Sequence, residues 1–130
     1  MKNSCLLKYS LLAGCVYFIL MSLAHFWGLK VPVLFIYYDV PYYAYQDMII
    51  SFAVLAYVGL FYLASKSRDN VFPALVVLGF TVAGLCIVNM SAELKLLTLL
   101  QPRDPYWIQT AVLGVYWLYL VVLYVRERQS

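Results

Sequence analysis

The stretch from Val71 to Met90 reads VFPALVVLGFTVAGLCIVNM and contains 20 consecutive residues without a charged side chain. In an α-helix, this number of residues extends over about 30 Å, which is the thickness of the hydrocarbon core of a bilayer. A chain that crosses this core must satisfy its backbone hydrogen bonds within itself, and a helix does so. The stretch therefore predicts a transmembrane helix.

Three further stretches share this character, and each is flanked by charged residues. They are Tyr9–Trp27, Met48–Ser65 and Trp107–Val125. The composition agrees, because 65% of the 130 residues are hydrophobic, 12% are charged and the mean hydropathy is +0.84. Soluble domains are about half apolar and a quarter charged. We predict an all-α integral membrane protein whose single domain, 1–130, is an antiparallel four-helix transmembrane bundle with helices at 9–27, 48–65, 71–90 and 107–125.

The connection over residues 28–47 is apolar but cannot span the membrane. Its core, VPVLFIYY at 31–38, has eight residues, and Pro32 and Pro41 bracket it. Five tyrosines follow in quick succession between positions 37 and 45, and tyrosine concentrates at the level of the lipid headgroups. We expect an interfacial or re-entrant first extracytoplasmic loop.

The basic residues predict the orientation. With the N-terminus inside, six basic residues fall on the inner side and three on the outer side. The inner ones are Lys2, Lys8, Lys66, Arg68, Arg126 and Arg128, and the outer ones are Lys30, Lys95 and Arg103. Since cytoplasmic loops carry the excess of Lys and Arg, this distribution favours a multi-pass protein of the cytoplasmic membrane with both termini in the cytoplasm.

Polar residues collect at one depth, near the predicted outer ends of the four helices. His25 lies one turn before the end of the first helix, Asp47 opens the second, and Asn89 and Glu93 follow Cys86 at helical spacing on the third. Polar groups inside a membrane are costly, so their convergence indicates a pocket. The ligand-binding candidates are His25, Tyr38, Asp39, Tyr45, Asp47, Asn89 and Glu93.

Simpler roles exist for the same residues. Asp47 is a suitable N-cap for the second helix, His25 can donate to a loop carbonyl, and Glu93 can be solvated or paired with Lys95. A metal ion is not expected, because the chain has one histidine and lacks the paired ligand spacing of membrane metalloproteases and di-iron bundles. No cofactor is predicted either.

In size and helix count, the whole chain is similar to the small four-helix bacterial inner-membrane proteins, among them the DoxX-like group. This resemblance rests on topology, so it implies the fold and no activity. No catalytic motif is present, and the small net charge of +3 argues against a nucleic-acid partner. The sequence favours a non-catalytic accessory or interaction subunit whose partners are membrane lipid and a membrane protein or a second copy. The alternative is a membrane-embedded enzyme or a lipid- or quinone-binding protein with an outer pocket built from His25, Asp39, Asp47 and Glu93.

Overall fold

The computed structural model describes residues 3–34, 44–99 and 103–129, and this part of the chain is helical apart from short turns. The helices are α1 Cys5–Trp27, α2 Ala44–Lys66, α3 Val71–Met90, α4 Ala92–Leu97 and α5 Asp104–Gln129. Four of them, α1, α2, α3 and α5, are long and apolar enough to cross a membrane. The predicted all-α four-helix bundle is confirmed.

Both ends of α1 carry local stop signals. The hydroxyl of Ser4 accepts a hydrogen bond from the backbone N–H of Leu7 at 3.2 Å and so caps the N-terminus. Gly28 adopts a left-handed conformation with φ of 67°, and the N–H of Leu29 returns to the carbonyl of Ala24 at 2.8 Å. This is the glycine-terminated end that a residue without a Cβ allows at little cost.

After α1 the chain turns back along the bundle. The hydroxyl of Tyr17 donates to the carbonyl of Val33 at 2.7 Å, although Tyr17 lies ten residues, or about 15 Å, before the end of α1 at Trp27. The described part of the first loop therefore folds back beside α1. Residues 35–43 of the predicted loop lie outside the described residues, and residues 44–47 belong to α2, which therefore begins before the predicted start at Met48.

The connections before and after α3 have different structures. A single 3₁₀ turn, Arg68–Asn70, joins α2 to α3, and Pro73 is tolerated in the first turn of α3 because its missing N–H would have no helical partner. Beyond α3, Ser91 is extended with ψ of 149° and caps the short helix α4 by accepting from Leu94. This short helix lies between the stretches 71–90 and 107–125 and is not predicted from the sequence.

The four long helices form an up-down-up-down bundle in which α1 packs mainly against α2, and α3 against α5. Polar contacts are present between helices at both ends of the bundle. At the end that carries both termini, here called the terminal end, Ser4 bonds Glu127 and Asn3 donates to the carbonyl of Ala64 at 2.7 Å. At the opposite end, here called the His25 end, His25 contacts Asp47.

The interior is apolar and aromatic at mid-depth. The ring of Phe18 lies 5.0 Å from that of Tyr57 and 5.2 Å from that of Phe61, between centroids. Gly14 lets α5 approach α1, because its missing side chain leaves room for Tyr116, whose hydroxyl donates to the carbonyl of Ser10 at 2.8 Å. The outward faces remain apolar, as lipid contact requires.

Candidate functional site

The centre of the candidate site is a buried pair formed by His25 and Asp47. The Nδ1 of His25 lies 2.9 Å from Oδ1 of Asp47, and the two residues are only 2% and 8% exposed. His25 is in the last turn of α1 and Asp47 in the first turn of α2. Asp47 lies inside α2, three residues after Ala44, so it is not the N-cap of this helix that the sequence suggested. Its carboxylate instead contacts His25 of α1.

A second polar link lies one turn deeper between the same helices. Ser22 precedes His25 by three residues, and its hydroxyl donates to the carbonyl of Ser51 at 2.9 Å. The hydroxyl of Ser51 in turn donates to the carbonyl of Met48 at 2.7 Å. The α1–α2 interface thus has two polar contacts, one turn apart, at the His25 end. Of these, the His25–Asp47 contact contains ionisable groups and the Ser22–Ser51 contact does not.

The α3–α5 interface carries its own polar link at the same end. The amide of Asn89 donates to the hydroxyl of Thr110 at 2.8 Å, and this hydroxyl donates to the carbonyl of Tyr106 at 3.0 Å. Gln109 and Tyr106 are also buried here. Tyr106 is not among the predicted site residues, since it lies one residue before the predicted start of the fourth helix at Trp107, whereas α5 begins at Asp104. The Asp-Pro pair at 104–105 is the signal for the earlier start, since both residues suit a first helical turn.

The other predicted site residues have different positions. Glu93 does not continue the stripe of Asn89, because α3 ends at Met90 and Glu93 lies exposed on α4; that part of the stripe prediction is wrong. Tyr45 is exposed near the start of α2. Tyr38 and Asp39 lie outside the described residues. The structure therefore brings His25 together with Asp47, and Asn89 with Thr110, at one end of the bundle.

The His25–Asp47 geometry restricts the imidazole chemistry. When the Asp47 carboxylate is ionised it can only accept, so Nδ1 of His25 must carry the proton. In the neutral ring, the lone pair is then on Nε2, which is itself buried. Nε2 can accept a hydrogen bond from a hydroxyl, and after protonation it can donate one to a carbonyl or a phosphate oxygen. In either case the contact with Asp47 holds the ring in one orientation.

Metal binding receives no support from the described residues. Within residues 3–34, 44–99 and 103–129, no three His, Cys, Asp or Glu side chains approach closely enough to hold an ion. The three thiols are free, with Cys5 exposed, Cys15 buried and Cys86 half-buried.

Two apolar grooves open on the sides of the bundle. The first, of about 240 Å³, lies between α1 and α5 beside Gly14 and is walled by Tyr17 and Tyr116. The second, of about 310 Å³, lies between α3 and α5 and reaches Arg128 at the terminal end. Both grooves lie along helices that are long and apolar enough to cross a membrane.

The fold and these contacts define a small multi-pass membrane protein with a buried histidine–carboxylate pair at one end of its helices. Comparison with models of known protein families, with curated proteins and with solved structures found no match to this chain.

Proposed function

We propose that the protein binds an amphiphilic small molecule, a lipid or a quinone, at the His25 end of the bundle. The observation that carries the proposal is the buried His25–Asp47 pair with its Nδ1–Oδ1 distance of 2.9 Å. An ionisable pair inside a membrane helix bundle is expensive and commonly marks a functional site.

The rest of the molecule argues against a purely structural role for this pair. Neutral hydrogen bonds already link the helices at this end. Ser22 links α1 to Ser51 of α2, and Asn89 links α3 to Thr110 of α5. Neutral links of this kind stabilise membrane helix contacts by about 0.6 kcal/mol each without an ionisable side chain. The α1–α2 contact already has such a link, so His25 and Asp47 are not needed merely to hold the helices together.

The pair suits the head of an amphiphile. The Nε2 of His25 can bind a hydroxyl as an acceptor or a carbonyl as a donor, with Asp47 positioning the ring. Phe26 and Met48 directly follow His25 and Asp47 in the sequence, and each exposes more than a third of its surface. Such apolar side chains beside the pair favour an apolar ligand body. Small-molecule sites generally combine such an apolar wall with a few polar groups.

The experiment compares ligand retention in variants of the pair. Wild type, His25→Phe and Asp47→Asn are purified in mild detergent, and bound lipids and quinones are extracted and identified by mass spectrometry. We expect one amphiphile to be enriched over the detergent-extracted membrane and to be lost in His25→Phe. Direct titration with decylubiquinone separates the quinone from the lipid. Loss of the hydrogen bond to His25 should weaken binding about fivefold.

Asn89→Ala provides the matched control, because it removes a buried polar link at the same end of the bundle. This variant should keep the amphiphile. Equal retention in wild type, His25→Phe and Asp47→Asn would refute the site. Circular dichroism of each purified variant ensures that lost binding is not lost folding.

A second candidate function is that of an interaction subunit in the membrane, and the α1–α5 groove favours it. Ala13 and Gly14 line this groove, and small residues allow close approach of another helix. Contacts between α1 and α5 are sparse compared with those between α1 and α2. Cysteine crosslinking from Ala13→Cys in native membranes tests this function, and recovery of the monomer alone would count against it.

For localisation, we propose the cytoplasmic membrane with both termini inside. The excess of basic residues at the terminal end supports this orientation. The pair at the His25 end would then lie near the extracytoplasmic surface.

A further inference from the structure

The second groove, between α3 and α5, is about as long as one membrane leaflet is thick. Phe72 and Val76 form one wall, Val121 and Val125 the other, and Trp117 closes the deep end. From Trp117 to the terminal end at position 128, α5 advances 11 residues, or about 16 Å. Half of a hydrocarbon core is about 15 Å. The groove therefore runs from the bilayer centre to one membrane surface.

Two arginines lie at the surface end of this groove. Arg128 lines it directly, and the guanidinium of Arg68 stands 5.8 Å from the ring centroid of Tyr124, another lining residue. Among the described residues, no carboxylate lies within 4.0 Å of either guanidinium. The neighbouring carboxylate of Glu127 is turned toward Ser4 at the start of α1.

The deep end of the groove is fixed by a hydrogen bond. Nε1 of Trp117 donates to the carbonyl of Leu75 at 2.9 Å, which holds the indole between the two helices. Gly79 permits this position, since a Cβ there would lie 3.1 Å from the indole. The groove is thus a built feature of the α3–α5 interface with an apolar floor, a rigid end and a cationic mouth.

From this arrangement we propose that the α3–α5 groove binds an anionic phospholipid. One acyl chain lies along the groove toward Trp117, and the phosphate lies between Arg68 and Arg128. Arginine is suited to this task because its planar guanidinium forms paired hydrogen bonds with phosphate oxygens. The positive charge of these two arginines favours binding of an anionic headgroup over a zwitterionic one. This site is independent of the amphiphile site at the His25 end.

Trp117 supplies the measurement. A protein with Trp27→Phe and Trp107→Phe retains one tryptophan, located at the deep end of the groove. This protein is reconstituted into phosphatidylcholine vesicles that contain a fixed fraction of lipid brominated at mid-chain, either phosphatidylglycerol or phosphatidylcholine. We expect stronger quenching of Trp117 by the brominated phosphatidylglycerol, because that lipid occupies the groove selectively.

Charge variants identify the headgroup contact. Arg68→Gln and Arg128→Gln should each reduce the preference for phosphatidylglycerol roughly fivefold. Arg126→Gln is the matched control: it removes the same charge from the same exposed end of α5, outside the groove lining, and should retain the preference. Arg126 and Arg128 are exposed and Arg68 is half-buried, so none of these substitutions alters the apolar core and the fold should be preserved.

A position control uses a protein that retains Trp107 alone, at the opposite end of α5. It should show no preference between the two brominated lipids. Equal quenching of Trp117 by both lipids would overturn the proposal. So would an equal loss of preference in Arg126→Gln, because the attraction would then be a general effect of surface charge.

Discussion

Replacement of Gly14 by alanine is the sharpest test of how the helices are held together. A Cβ at this position would collide with the hydroxyl of Tyr116 and would lie 2.8 Å from Cδ1 of Phe61. Phe61 is fully buried and contacts Phe18, so it has little room to retreat. Tyr116 can move only by giving up its hydrogen bond to the carbonyl of Ser10.

The magnitude follows from these two effects. Overpacking of a tight interior commonly costs about 1–3 kcal/mol, and the lost hydrogen bond of Tyr116 contributes about 1 kcal/mol. We expect Gly14→Ala to lower the free energy of unfolding by about 2–4 kcal/mol. The greater helix propensity of alanine offsets less than about 1 kcal/mol of this destabilisation.

The assay is unfolding by sodium dodecyl sulfate in mixed micelles, followed by circular dichroism and tryptophan fluorescence. Gly59→Ala is the matched control, because an added Cβ there meets no atom within 4 Å; this variant should be as stable as wild type or slightly more stable. Gly14→Ala combined with Tyr116→Phe should recover part of the loss, since the colliding hydroxyl is absent. Equal stability of the two alanine variants would refute the proposed close packing of α1, α2 and α5.

Three further predictions concern the polar contacts and the topology. A double-mutant cycle of Asn89→Ala and Thr110→Val should give a coupling of about 0.6 kcal/mol, and at most about 1.7 kcal/mol, in the same unfolding assay; additive effects would contradict the hydrogen bond. Ser4→Ala should destabilise the protein by about 1 kcal/mol through loss of the α1 cap and of the contact with Glu127, and unchanged stability would show that this end frays. In a chain whose other cysteines are replaced by serine, an impermeant maleimide should label the exposed Cys5 in inverted vesicles and not in intact cells, and the reverse pattern would overturn the proposed orientation.

The sequence predicted the depth of the polar residues better than their partners. Positions at the ends of the apolar stretches placed His25, Asp47 and Asn89 at one end of the bundle, because depth depends only on distance along a helix. Partner choice depends on the rotation of each helix about its axis. These helices are apolar on nearly all faces, so hydrophobic periodicity gave little indication of that rotation.

Helix ends were the second source of difference. Spacing placed Glu93 on the same stripe as Asn89, but Ser91 ends α3 and begins α4. The first helix is predicted to begin at Tyr9, directly after the charged Lys8, whereas α1 continues outward past Lys8 to Cys5. A lysine can remain in a membrane helix near its end because its long stem reaches the polar surface.

The sequence by itself determined that the chain has four helices able to cross a membrane, because this ability depends on the length and apolar character of each stretch and both are local properties. It also determined which residues lie at each end. Only the tertiary structure decided that His25 meets Asp47, that Asn89 meets Thr110 and that Gly14 receives Tyr116. These pairings follow from which helix faces fit together, and in an environment of lipid this fit depends on shape and hydrogen bonds between distant residues.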